Sequence, residues 1–246
     1  VVFVANVGND LFGNQALGHF QNEKIDCAYV TKDESNPSGV ALISVDSKAE
    51  NHIVVAPGAN GHLSTAHVDQ ALTHISPDDL ILVQLEIPLD TVAHTLLRVK
   101  EKGVRVILNP APGCVLSASL LTGLFMITPN ETEASILTGI GVTDVTSAGL
   151  AGQKLLKMGV EEVVITLGSR GALWVSKVGA ELITAPSVTA IDSTAAGDCF
   201  NGALAVSVAE NMPMREAIDL ACRAASISVT RFGAQASMPF KHELAM

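Results

Sequence analysis

The stretch Ile191-Asp-Ser-Thr-Ala-Ala-Gly-Asp-Cys-Phe-Asn-Gly-Ala-Leu204 places a row of small residues between two aspartates. Phe200, Leu204 and Val208 follow one another four residues apart, which predicts a helix that begins near the glycine. The first N–H groups of a helix have no acceptor within it and carry the positive end of its dipole, so they bind anions. The stretch therefore predicts an anion site at a helix N-terminus.

Asp198 lies in the mouth of this predicted site. A carboxylate beside an anion site can act as the general base in phosphoryl transfer. An aspartate in this position can equally be an N-cap that closes a glycine turn. The spacing alone leaves both interpretations open.

Short apolar runs alternate with amphipathic segments along the rest of the chain. This alternation predicts an α/β/α sandwich, in which helices cover both faces of a mostly parallel sheet. Two runs at 39–45 and 51–55 are too close in sequence to be parallel neighbours, so they predict a small antiparallel flap. The predicted strands are 1–7, 80–84, 105–109, 125–128 and 162–167, with a hairpin at 172–184, and the predicted helices are 11–20, 65–74, 89–100, 130–137, 146–157, 196–210 and 214–230. Asp10 and Ser64 are the predicted N-caps of the first two helices.

Polar side chains occur where several of these predicted strands end. Ligands of parallel sheets bind beyond the carboxyl ends of the strands, which share one edge. Each cluster alone can be ordinary turn chemistry, but their common position favours a single binding site. The clusters are Gln84–Glu86, Asn109, Thr128–Glu133, Thr166–Gly171 and Asp192–Asp198.

Composition disfavours several classes of protein. The net charge of −10 argues against a nucleic-acid or anionic membrane surface, and no apolar run reaches the roughly 18 residues of a membrane span. The four cysteines lack CxxC spacing and indicate reduced thiols in a cytoplasmic protein. No GxGxxG fingerprint follows a strand, which disfavours a nucleotide-linked dehydrogenase.

Cys199 follows Asp198 at the predicted helix N-terminus. The helix dipole there is expected to lower the pKa of the thiol and make it sensitive to oxidation. The alternative is a small buried residue without reactivity.

The ordered motifs resemble those of the ribokinase-like, or pfkB, family of carbohydrate kinases. The stretch that begins at Asp192 is similar to the C-terminal signature of the family, Thr128–Glu133 to its NxxE segment and Thr166–Gly171 to its nucleotide loop. The tail Val229–Ser237 is similar to that of the ribose-phosphorylating members. The match covers essentially the whole chain. It implies a single domain over residues 1–246, in which residues of about 38–56 form part of a β lid. It implies an ATP-dependent kinase that acts on a sugar hydroxyl, in D-ribose the one on C5.

The resemblance also assigns roles to individual residues. Asp198 would be the general base, and Glu86 would bind the sugar together with Asp198. The transferring phosphoryl group would be held by the backbone amides of Ala195, Ala196 and Gly197. The nucleotide would contact Asn130, Thr166, Leu167, Gly168, Ser169, Arg170, Gly171, Gly197, Asp198 and Cys222.

Two cations follow from the resemblance. Glu133 would organise Mg²⁺, through water because Mg²⁺ keeps several of its waters. A monovalent activator, K⁺, would be held mostly by backbone carbonyl oxygens. Its ligands would come from Asp192, Thr194, Ser228, Arg231, Gly233 and Ser237.

The chain departs from the family pattern in some respects. Ser193 replaces a threonine, and Ala195 stands where many sugar kinases have glycine. The family has a strand, part of the lid and a glycine-rich sugar-binding segment ahead of the region that matches Val1, which implies the absence of at least one βα unit of about 30 residues. The alternatives to a D-ribose kinase are a non-catalytic or truncated ATP-binding relative, or a kinase for another sugar or a nucleoside. A homodimer through the lid is a further expectation.

Overall fold

The computed structural model describes residues 1–45 and 51–244. Contacts between Cα atoms group the chain into two compact units. The first comprises Val1–Ile43, Ile53–Asp78 and Gln84–Val104, and the second comprises Ser44–His52, Asp79–Val83 and Arg105–Met246. The single domain over residues 1–246 stays a prediction.

The first unit contains a β–α–β arrangement. Strands β1 (Val2–Gly8) and β2 (Asp26–Asp33) pair in parallel, and helix α1 (Leu11–Asn22) connects them. Asp10 caps α1 as the sequence predicts, because its carboxylate accepts the Gly13 N–H at 2.8 Å. Strand β2 was not predicted, because its apolar core is short and lies between charged ends.

A small sheet of β3 (Val40–Val45) and β4 (Asn51–Ala56) confirms the predicted flap. The predicted connection at 46–50 lies outside the described residues. The use of this sheet as a lid and as a dimer contact stays a prediction.

Two further helices belong to the first unit, α2 (Thr65–Leu72) and α3 (Leu89–Glu101). The predicted cap of α2 is present, with Ser64 at the N-cap position. Thr91 of α3 is buried and its hydroxyl donates to the Leu63 carbonyl at 2.7 Å, which ties α3 to the residue before the N-cap of α2.

The second unit is built on a six-stranded sheet of order β10-β9-β8-β7-β6-β5. Its parallel strands are β5 (Leu80–Val83), β6 (Arg105–Leu108), β7 (Met126–Ile127) and β8 (Glu162–Thr166). The predicted hairpin continues it antiparallel as β9 (Ala172–Ser176) and β10 (Gly179–Ile183). The helices are α4 (Ala118–Leu121), α5 (Glu131–Thr138), α6 (Val145–Lys157), α7 (Ala196–Ala209) and α8 (Met214–Ser228).

Helices α7 and α8 pack on one face of this sheet. Phe200, Leu204 and Val208 of α7 are at most 3% exposed and share one apolar cluster with Val164 of β8 and Ile218 of α8. The predicted apolar face of α7 is therefore confirmed. Burial of such side chains is worth about 1.5–3 kcal/mol each, so this face fixes the position of α7 on the sheet.

Helix α6 covers the opposite face. Val175 of β9 pairs with Val163 of β8, whose side chain points away from that of its neighbour Val164. A Cβ added to Gly152 of α6 would lie 2.7 Å from the Val175 side chain, so only glycine permits this approach. The mostly parallel sheet with helices on both faces is confirmed. In residues 1–45 and 51–244, we find no helix that combines the length and the apolar character needed to cross a bilayer.

Candidate active site

The N-terminus of α7 begins from a left-handed residue. Ala195 is the N-cap, with φ 59° and ψ 15°, and its carbonyl accepts the Cys199 N–H at 2.9 Å. The left-handed conformation costs an L-residue about 1–2 kcal/mol. Ala195, which replaces the glycine of many sugar kinases, therefore stands at a position whose backbone conformation favours glycine.

The sequence predicts that the backbone N–H groups at the start of this helix are all free to bind an anion, but one of them is not. The Ala196 N–H donates to the Ser193 carbonyl at 3.2 Å and so has an acceptor already. Gly197 faces space, since a Cβ added there would meet nothing within 4 Å outside its own helix. Asp198 is exposed in the same turn. An anion placed before Gly197 would meet the positive helix end with a carboxylate beside it.

The two segments predicted to contact the nucleotide lie side by side. Asn130 and Thr166 form a parallel β-bridge, and the Thr166 N–H donates to the Pro129 carbonyl at 3.0 Å. Arg170 forms an ion pair with Glu131 at the start of α5. The structure thus brings the loops after β7 and β8 together at the carboxyl edge of the sheet.

The loop after β8 depends on its last glycine. Leu167 is buried, whereas Gly168–Arg170 form an exposed 3₁₀ turn. Gly171 then adopts φ 101°, and a Cβ on it would lie 2.0 Å from the Ile183 carbonyl oxygen. This loop therefore passes directly against the backbone at the end of β10.

Asn130 and Glu133 form a reciprocal cap at the start of α5. The Asn130 side chain accepts the Glu133 N–H, and the Glu133 carboxylate accepts the Asn130 N–H, both at 2.8 Å. Glu133 is only 7% exposed, and this burial raises the pKa of its carboxyl above the ordinary value. A nearby cation would offset the cost of the buried charge, so Glu133 fits a role beside Mg²⁺.

Three of the residues assigned to K⁺, namely Asp192, Thr194 and Gly233, meet at the Asp192 carboxylate. Its carboxylate accepts the N–H groups of Thr194 and Gly233, each at 2.9 Å, and so joins the segment before α7 to the C-terminal tail. The nearby Thr194 hydroxyl and the N–H groups of Gly233 and Thr194 hold the pKa of Asp192 below its ordinary value. That hydroxyl, however, reaches no acceptor in hydrogen-bonding geometry among the described residues.

The residues assigned to K⁺, which define what we call the cation pocket, include one carboxylate and three hydroxyl groups. Ser237 is fully buried and Ser228 nearly so, and the guanidinium of Arg231 pairs with Glu243 at 2.5 Å. An orphaned buried hydroxyl beside an ionised carboxylate suits a monovalent cation that takes carbonyl and carboxylate oxygens. The pocket therefore fits K⁺.

The remaining predicted residues have other surroundings. Glu86 is exposed and belongs to the first unit, three residues after β5 ends, so its contact with sugar stays a prediction. Cys222 lies in the apolar cluster of α7 and α8 at 3% exposure, and burial raises the pKa of its thiol to about 12. Its contact with the nucleotide also stays a prediction.

Cys199 is buried at 6% exposure. Burial raises the pKa of its thiol, so the expectation that the helix dipole lowers it is wrong. Desolvation of the buried thiolate is the largest cause, and the negative charge of the neighbouring Asp198 also raises this pKa. Cys199 is therefore the small buried residue of the alternative interpretation.

Comparison with known proteins decides the family. The model of the pfkB family of carbohydrate kinases matches residues 1–241. The chain belongs to this family. It is accordingly a phosphotransferase of the class that acts on a sugar hydroxyl, as the motifs imply.

Individual pfkB proteins match the chain along nearly its whole length. The ribokinase of Haemophilus influenzae is 42% identical over 243 residues, which cover 99% of this chain and 79% of that protein. A solved ribokinase of Thermotoga maritima superposes with a TM-score of 0.87 at 35% identity, covering 99% of this chain and 79% of that one. A ribokinase of Arabidopsis thaliana, solved with ribose and ATP, has a TM-score of 0.86 at 28% identity, with 99% and 80% covered.

One buried polar pair in the core of the second unit was not predicted from the sequence. Thr128 and Asn201 are 2% and 3% exposed, and the threonine hydroxyl donates to the asparagine side chain at 2.6 Å. The sequence does contain a sign of this pair, because Asn201 is the one polar amide in the otherwise apolar or small stretch Cys199–Leu204. Its partner could not be read from the sequence because it lies 73 residues away.

Proposed function

We propose that the chain transfers the γ-phosphoryl group of ATP to the C5 hydroxyl of D-ribose. The observation that carries the proposal is the start of α7, where open space at Gly197, the positive helix end and the exposed Asp198 lie within one turn. Phosphoryl transfer depends on positioning and charge stabilisation more than on covalent chemistry. The tail motif and the ribokinase relatives favour ribose among the sugars.

In this proposal Asp198 accepts the proton of the sugar hydroxyl. The hydroxyl oxygen then forms a bond to the γ-phosphorus while the bond from that phosphorus to the β,γ-bridging oxygen breaks, and ADP leaves. The amides at Ala195–Gly197 hold the charge on the transferring group. The Ala196 amide gives up its 3.2 Å bond to the Ser193 carbonyl in order to take part. Glu86 accepts hydrogen bonds from the sugar, and Asn130 and Thr166–Gly171 hold the nucleotide.

Two cations complete the proposal. Mg²⁺, when bound with ATP, neutralises phosphate charge, and Glu133 holds it through water. Asp192 would supply the negative charge that holds K⁺ in the cation pocket. Because Asp192 joins the segment before α7 to the tail, occupancy of this pocket stabilises the backbone that precedes the anion site.

Sugar-dependent ADP release from purified chain, Mg-ATP and K⁺ tests the proposed function. D-ribose is compared with 2-deoxyribose, fructose and adenosine, and K⁺ with tetramethylammonium at equal ionic strength. We expect D-ribose to give the highest kcat/KM, and K⁺ to speed turnover. ATP binding without sugar-dependent release would instead favour a non-catalytic relative, and a preference for another acceptor would reassign the substrate.

Gly197→Ala is expected to abolish most turnover without harming the fold. The new methyl group meets no atom in the folded protein, and alanine is favoured over glycine within a helix by about 0.5–1 kcal/mol. It occupies, however, the space that the proposal assigns to the phosphoryl group. Thermal unfolding should show a Tm at or above that of the wild type, while kcat falls at least about tenfold. Wild-type kcat in this variant would remove Gly197 from the site.

Glu133→Gln separates the metal role of Glu133 from its capping role. The glutamine oxygen can still accept the Asn130 N–H, so the cap is kept. The folded state raises the pKa of Glu133, so wild-type stability relative to the variant falls as the pH rises above the ordinary value of 4.5. At pH 7 we expect the variant to be at least as stable as the wild type.

Turnover of Glu133→Gln should nevertheless fall, with a higher Mg²⁺ concentration needed for half-maximal rate. The readouts are urea unfolding from pH 4 to pH 8 and a Mg²⁺ titration of ADP release. An unchanged Mg²⁺ requirement would leave Glu133 with its capping role alone.

A further inference from the structure

A buried chain of hydrogen bonds connects β7 to the first turn of α7. The Thr128 hydroxyl donates to Asn201 Oδ1 at 2.6 Å, and Asn201 Nδ2 donates to the Gly197 carbonyl at 2.9 Å. The Leu108 carbonyl lies farther from the hydroxyl, at 3.4 Å. Only this amide orientation satisfies both contacts, since a carbonyl oxygen cannot donate.

The carbonyl at the end of this chain belongs to a critical peptide group. The peptide that joins Gly197 to Asp198 is planar, so fixing its C=O also fixes its N–H and the Cα of Asp198. Asn201 adds a side-chain donor to a carbonyl on which the helix itself already places one bond. The orientation of Asp198 is thereby set from the core of the molecule.

The other end of the chain leads to the nucleotide segment. Thr128 is followed directly by Pro129 and Asn130, whose bridge to Thr166 joins the two nucleotide loops. Replacing both Thr128 and Asn201 with apolar side chains of similar shape should change the free energy of unfolding little, because neither partner of the buried hydrogen bond is left unsatisfied. If Thr128 and Asn201 serve catalysis as well as packing, their replacement lowers kcat even where the stability of the protein is kept.

We propose that Thr128 and Asn201 are positioning residues that hold Asp198 in place relative to the nucleotide segment. The inference rests on the proposed kinase function. Neither residue touches substrate; Asn201 acts through the Gly197–Asp198 peptide, and Thr128 acts through Asn201.

The test compares Thr128→Val, Thr128→Ser and the double variant Thr128→Val with Asn201→Leu, in the full chain with ribose and Mg-ATP. Valine copies the shape of threonine without its hydroxyl, whereas serine keeps the hydroxyl. We expect kcat to fall at least about tenfold in Thr128→Val and in the double variant, since small displacements of reacting groups have large effects on rate. The KM values for ATP and ribose should stay within about twofold, and Thr128→Ser should restore most of kcat.

Stability decides between positioning and packing. The single valine variant leaves Asn201 Oδ1 buried without a donor and should unfold at lower denaturant, while the double variant should recover. A double variant with both wild-type stability and wild-type kcat overturns the inference. If the double variant does not fold, equal kcat values for the valine and serine variants overturn it instead. A wild-type chain without sugar-dependent ADP release overturns the proposed function, and the inference with it.

Discussion

Replacing Asp198 with asparagine is expected to lower kcat by about 10²- to 10⁴-fold, which is the usual contribution of a general base. The amide keeps the size of the side chain but cannot take the proton of the sugar hydroxyl. Asp198 is exposed in the first turn of α7, so the fold should survive with a small loss of helix stabilisation. The measurement is ADP release at saturating ribose and Mg-ATP, with Tm and ATP affinity determined in parallel.

Asp90→Asn provides the matched control for this variant. Asp90 is also an exposed acid in the first turn of a helix, α3, but it has no part in the proposed chemistry. It should lose a comparable amount of stability and keep its kcat. If Asp198→Asn retains turnover within about tenfold of the wild type while Mg-ATP and ribose are saturating, Asp198 is not the base.

Gly171→Ala is expected to destabilise the protein by about 3 kcal/mol or more, a large part of the stability of an ordinary domain. Its Cβ would lie 2.0 Å from the Ile183 carbonyl oxygen and 2.7 Å from the Ala185 nitrogen. Both atoms belong to the backbone, so no side-chain rotation can relieve the overlap. The positive φ of 101° adds conformational strain that glycine alone avoids.

Gly168→Ala separates strain from overlap in the same loop. Gly168 also has a positive φ, of 57°, but a Cβ there would meet nothing within 4 Å. It should therefore lose only about 1–2 kcal/mol, the cost of the left-handed conformation. Urea unfolding followed by circular dichroism compares the two variants. A loss in Gly171→Ala no larger than that in Gly168→Ala would contradict the close contact with Ile183.

Local patterns in the sequence predict much of the fold. The four-residue spacing of Phe200, Leu204 and Val208 predicts the buried face of α7, and Asp10 predicts the start of α1. Both depend on periodicity or on contacts a few residues apart, which a single sequence displays. The placement of Asn130 beside Thr166 follows from the rule that parallel strands end at one edge.

The features that were missed or wrong depend on distant contacts or on a backbone turn that the sequence does not reveal. Burial in the folded protein raises the pKa of the Cys199 thiol, and the sequence around Cys199 does not show that burial. The bond between Thr128 and Asn201 joins residues 73 apart. The Ala196 amide is engaged because the left-handed turn at Ala195 brings the Ser193 carbonyl to it. These properties arise only when the chain is folded.

³¹P NMR of the reaction of the chain with ATP, Mg²⁺, K⁺ and D-ribose shows whether a phosphoryl group is transferred to the sugar. We expect a growing phosphomonoester resonance, coupled to the two protons on C5 of ribose, together with ADP. The same resonance should be almost absent with Asp198→Asn. Inorganic phosphate in place of the ester, or bound ATP that stays intact in the presence of ribose, would contradict the proposed transfer to the sugar.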